Sequence, residues 1–108
     1  MKDPIRGNTI RWTFSDGPTK DKAFEHDFNP DGSLAYRMNG SDKSMSEKHY
    51  ETTQISDKVF AVSYLASSGW TLTSILDFDT GKIVAFASNK EQLIMQRGEF
   101  QVVAKKAA

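Results

Sequence analysis

The sequence predicts an all-β protein, an eight-stranded antiparallel up-and-down β-barrel, on three observations. Large apolar and polar residues alternate with period two through most of the chain. Clusters of Gly, Pro, Asn, Asp and Ser interrupt that alternation about every ten to twelve residues. No stretch carries the apolar stripe of an amphipathic helix of about ten residues or more. A flat sheet of this size would expose two edges competent to pair with other chains, and closure into a barrel removes them. A barrel of about eight strands is just wide enough to be filled by side chains or to hold one small ligand.

The length of 108 residues suits one domain over 1–108, with 1–8 as a lead-in and 104–108 as a frayed tail. Hydrophobic residues make up 38% and charged residues 26%, a balance that folds rather than staying disordered. Lys plus Arg and Asp plus Glu are equal at 14 each, so nothing favours a nucleic-acid partner bound through its phosphates. The apolar runs are too short for a membrane span, and Met1–Ile5 lacks the apolar core of a secretory leader. The expected location is therefore the cytoplasm, with no membrane partner. Cysteine is absent, which excludes disulfides and thiolate metal sites. Asn39-Gly40-Ser41 has the form of a glycosylation acceptor and is read as a turn.

The first strand, Thr9–Phe14, sets Ile10, Trp12 and Phe14 against Arg11 and Thr13, then stops at Ser15-Asp16-Gly17-Pro18. The second, Lys22–Phe28, places Phe24, His26 and Phe28 on one face. Asn29-Pro30-Asp31-Gly32 follows as a hairpin turn, with Pro presetting φ and Gly supplying a positive φ. The third strand, Ser33–Asn39, alternates Leu34, Tyr36 and Met38 with Ala35 and Arg37, and Gly40–Lys43 turns the chain. Met45–Ile55 is polar; Tyr50, Thr52 and Thr53 favour strand four. Lys58–Leu65 is apolar or small on both faces and is expected to be the most buried strand. Trp70–Phe78 puts Trp70, Leu72, Ser74, Leu76 and Phe78 on one face. Lys82–Ser88 and Leu93–Val103 complete the set, and Gly98 marks a bulge or a bend.

The inward registers then hold Trp12, Phe14, Phe24, Phe28, Tyr36, Phe60, Tyr64, Leu76 and Phe78, with His26 and Ser74 among them. An aromatic interior with few polar groups suits a small-molecule site, and equally suits a filled core. His26 could orient a ligand or move a proton, or it could be a core histidine bonded to a tyrosine or a carbonyl. Glu47, His49 and Glu51 share a register on strand four. Side chains two apart lie about 7 Å from one another along a strand, however, and metal sites draw ligands from several elements. A solvated face is the better reading, and no metal or other cofactor is expected. Nucleophile elbows and phosphate loops are missing. Arg11 and Arg37 are read as outward-facing arginines.

Several phrases resemble the molybdenum-cofactor biosynthesis protein F (MoaF) family: Gly7 with Ile10-Arg11-Trp12-Thr13-Phe14-Ser15-Asp16-Gly17, Phe24-Glu25-His26 with Phe28, and Asp31-Gly32-Ser33-Leu34 with Tyr36-Arg37. Val59-Phe60 with Val62-Ser63-Tyr64, followed by Leu76-Asp77-Phe78, resembles that family and the phenolic acid decarboxylases. The resemblance runs over about Gly7 to Phe100 and implies a lipocalin-like (calycin) barrel with a central cavity. In the decarboxylases two first-strand tyrosines hold the substrate carboxylate, and Trp12 and Phe14 stand at those positions without hydroxyls. The position matching their catalytic glutamate falls at about Ala66, and their arginine in the loop or strand after the Tyr36-Arg37 position has only Lys43 as a rough counterpart. The resemblance thus implies a binding barrel ahead of an enzyme. The expected ligand is small and apolar or aromatic, held by Trp12, Phe14, His26, Tyr36 and Tyr64. The alternatives are a decarboxylase-like enzyme using His26 or Glu47, and an interaction module with a filled core. The protein itself is expected to be a monomer or a homodimer.

Overall fold

A computed structural model of the chain describes residues 2–38 and 41–105. Its nine strands are β1 (Asn8–Phe14), β2 (Ala23–Phe28), β3 (Leu34–Met38), β4 (Met45–Glu47), β5 (Glu51–Ser56), β6 (Val59–Leu65), β7 (Thr71–Asp77), β8 (Lys82–Ser88) and β9 (Leu93–Lys105). All belong to one antiparallel sheet in the order β4-β3-β2-β1-β9-β8-β7-β6-β5. The first and last strands pair at its centre, with Trp12 opposite Phe100 and Phe14 opposite Gly98. The sheet curls around the core as a barrel would, but its two edges are β4 and β5, neighbours in sequence that share no ladder.

That seam corrects the expected strand count from eight to nine. Met45–Ile55 does not run as one strand, because Tyr50 leaves the sheet surface for the core, where it is 1% exposed. Its hydroxyl donates to the Asn29 carbonyl at 2.8 Å, and its ring meets Phe28 edge-on at 5.1 Å. Its amide donates to the Gly32 carbonyl at 3.1 Å, so the polar backbone of the break is paired across the β2–β3 turn.

The remaining boundaries move by a residue or two. The lead-in is anchored rather than loose: Ile5 is fully buried, and the Asp3 carboxylate accepts from its amide at 2.8 Å. At the other end β9 continues to Lys105, where the tail was expected to begin at 104. Met1, the turn at Asn39–Gly40 and residues 106–108 lie outside the described residues.

The most buried strand is β1, with Thr9, Ile10, Trp12 and Phe14 all buried, rather than β6, which buries three residues. The cause is position. β1 lies at the centre of the sheet, whereas β6 has only the exposed edge strand β5 on one side. No bulge falls at Gly98, which pairs regularly with Phe14 and Ile83. The register shift of β9 falls opposite Thr9 and Ile10, and a second lies in β5 between Gln54 and Ser56.

Outside the barrel, β1, β2 and β3 carry a charged ladder. Arg11 Nε donates to Glu25 Oε2 at 2.9 Å. Arg37 reaches Glu25 Oε1 at 2.7 Å and Asp27 Oδ2 at 3.1 Å. Both arginines therefore face outward, as the alternation predicts. Neighbouring guanidinium groups hold the Glu25 carboxyl below its ordinary range, the Arg11 hydrogen bond most strongly.

Candidate functional site

The inward face leaves a cavity of about 320 Å³, near the lower end of the roughly 300–1,000 Å³ of small-molecule sites. Trp12, Phe14, His26, Tyr36 and Tyr64 all line it, brought together from β1, β2, β3 and β6. The cavity exists because its walls differ in bulk. β1, β2 and β3 present mainly aromatic rings, whereas β7 and β8 contribute the small Ser74, Ala85 and Ala87 beside the larger Leu72 and Phe86. Below it Phe60, Leu76 and Ile83 are buried and fill the core. Phe24 and Phe78, expected inside, are partly buried against that core, and Phe24 lines the cavity.

Ala85, Ala87, Trp70, Leu72, Ile94 and Gln96 line the cavity beyond the five expected site residues. A signal for the alanines was present in the sequence: Ile83, Ala85 and Ala87 share a register, and small residues on an inward face leave room. Nothing local marks Gln96. It is 8% exposed, its Nε2 donates to the Asp16 carbonyl at 2.7 Å, and its Oε1 accepts from Thr19 Oγ1 at 2.9 Å. Gln96 thereby straps the β1–β2 loop, which brings Pro18 and Thr19 to the cavity. Gly17 makes this possible: at φ +80° a side chain would be strained, and a Cβ there would come within 2.6 Å of Gln96 Nε2. Gln96→Ala is expected to release the loop at a cost of about 1–2 kcal/mol. Faster hydrogen exchange at the amides of 15–22, with β7 and β8 unchanged, is the outcome to look for.

Beside Thr19, Ser68, Ser74 and Gln96, three polar lining residues take part in two hydrogen-bonded pairs. His26, 4% exposed, stacks on Trp12 with ring centroids 4.1 Å apart, and its Nε2 lies 2.9 Å from the Tyr64 hydroxyl. Tyr36 donates its hydroxyl to Glu47 Oε2 at 2.8 Å, and the Ser67 amide donates to the same oxygen at 3.1 Å. The Tyr36 and Tyr64 rings are 5.4 Å apart, so the two pairs adjoin. Burial pushes the His26 imidazole down to about 3, against a smaller upward pull from Asp27, and keeps the ring neutral. Burial and then Glu47 push Tyr36 up to about 12, and burial raises Tyr64 as well. Among the described residues no Lys, Arg, Asp or Glu lines the cavity.

The Glu47, His49 and Glu51 register is divided by the break before β5. Glu47 turns to Tyr36 and Ser67, while His49 pairs with Glu51 on the exposed surface. Among the described residues no group of three or more His, Cys, Asp or Glu side chains is placed to hold a metal ion, and no helix is long and apolar enough to cross a membrane.

A solved structure described as "a putative beta-lactamase from Burkholderia vietnamiensis" is similar in fold, with a TM-score of 0.77. At 14% identity the likeness covers 95% of this chain and 99% of that one. No curated protein matches the chain. Residues 7–101 match the MoaF-like family, and with nearly the whole barrel inside that match the protein belongs to the MoaF-like family.

Proposed function

We propose that the protein is a binding barrel that takes a small apolar or aromatic ligand into its interior without transforming it. The observation that carries the reading is the cavity itself, about 320 Å³ and lined mostly by aromatic and apolar side chains. A module with a filled core would keep no space beyond a water or two. Trp12 and Phe14 supply apolar contact area, and the Tyr36 and Tyr64 hydroxyls supply orientation. His26 serves by holding Tyr64, since its Nε2 is already engaged and its Nδ1 is sealed from solvent.

The decarboxylase-like alternative draws less support. The first-strand positions carry no hydroxyl, Ala66 has no titratable group, and Glu47 is not among the groups lining the cavity. A screen of uncharged aromatic fragments by chemical-shift perturbation tests the binding reading. Shifts concentrated on Trp12, Tyr36, Tyr64 and Ala85 are expected. Shifts confined to the outer surface, or none, overturn it.

A further inference from the structure

We infer that Tyr64 and Tyr36 form a donor–acceptor pair selecting an uncharged, hydroxyl-bearing aromatic ligand and rejecting the matching carboxylate, an inference resting on the binding reading above. The hydrogen-bond network assigns the roles. The Tyr36 proton is committed to Glu47 at 2.8 Å, so its oxygen offers only lone pairs to anything else. Among the described residues Tyr64 has one side-chain hydrogen-bond partner, His26 Nε2 at 2.9 Å. Were Tyr64 to donate there, the imidazole proton would sit on Nδ1, buried and without a partner. Buried N–H groups without an acceptor are rarer than acceptors left with a spare lone pair. Nε2–H therefore donates to the Tyr64 oxygen, and the Tyr64 proton remains free to give.

A hydroxyl group complements such a pair, since it can donate to Tyr36 and accept from Tyr64 at once. A carboxylate cannot donate to Tyr36, meets no cation among the described residues of the cavity wall, and would approach a hydroxyl already bonded to the Glu47 carboxylate. The arginines that could have paired it, Arg11 and Arg37, are outside the barrel and engaged by Glu25 and Asp27.

Calorimetric titration at pH 7 with β-naphthol, its methyl ether and β-naphthoate tests the assignment. β-Naphthol is expected to bind about tenfold more tightly than either of the others, the effect of one or two buried hydrogen bonds. Tyr36→Phe should remove the advantage of the naphthol over its ether, Tyr64→Phe should weaken both of these ligands, and cooperative urea unfolding of each variant shows that the variant barrels are folded. Glu47→Ala should raise β-naphthoate affinity about tenfold by removing both the charge and the acceptor that holds the Tyr36 proton. If the wild-type protein binds the naphthoate or the ether as tightly as the naphthol, the selectivity is overturned and the binding reading stands. If none of the three binds, the binding reading fails and this inference fails with it.

Discussion

Lowering the pH from 6.5 toward 3 is expected to cost the protein about 5 kcal/mol of stability through His26 alone. The unfolded imidazole takes up a proton near 6.5, while the folded one resists it down to about 3. Over that interval the unfolded state holds more protons, so acid favours unfolding. The contribution is complete above 6.5, declines by about 1.4 kcal/mol for each pH unit below, and is exhausted once pH falls through the folded value. Proton uptake would force a cation among Trp12, Phe28, Tyr36 and Tyr64, rings that offer it no carboxylate. The depressed Glu25, Asp31 and Asp77 carboxyls add losses in the same direction at lower pH, below their ordinary range. Urea unfolding of wild type and His26→Phe at pH 7, 5.5 and 4.5 separates these contributions. The variant should be less stable at pH 7, having lost the Tyr64 hydrogen bond, and nearly flat between pH 6.5 and 4.5. An equal slope in both proteins would show that His26 is not the titrating group.

Gly98→Ala is expected to destabilise the fold by about 3 kcal/mol or more, the upper range for forcing atoms into a packed interior. A Cβ on Gly98 would lie 2.1 Å from the Thr13 carbonyl oxygen and 2.9 Å from Phe14 Cα. Both obstacles are backbone of β1, so no side chain can swing away to make room. The site sits where the first and last strands pair at the centre of the sheet, next to the cavity residue Phe14. Gly69→Ala provides the comparison. Its φ of +97° disfavours a side chain, but nothing lies within 4 Å, so a cost of about 1–2 kcal/mol is expected. Urea midpoints should rank the two variants in that order. Equal midpoints would mean that β1 yields without cost.

The alternation of Ile10, Trp12 and Phe14, of Phe24, His26 and Phe28, and of Tyr36 and Tyr64 makes the inward face legible from sequence, because strand side chains switch sides at every residue. That periodicity is why all five expected site residues line one cavity. It is blind to residues that break it. Tyr50 lies in a polar stretch and reaches the core only because the chain departs from the sheet to seat it under the β2–β3 turn. Ile5 precedes every strand, yet is buried completely. Gln96 acquires its role from a loop about eighty residues earlier in the chain, a distance no local pattern spans.

By itself the sequence determined an all-β chain, its turns, its aromatic inward face and its MoaF-like resemblance, because each depends on local chemistry: alternation, Gly and Pro at turns, and short strand phrases. The tertiary structure decided where the sheet opens, since only packing sends Tyr50 inward and divides β4 from β5. It also decided that the interior is hollow. Aromatic residues of β1, β2 and β3 come to share one cavity with Ser74, Ala85 and Ala87 only in the curled sheet, and space depends on which side chains face each other.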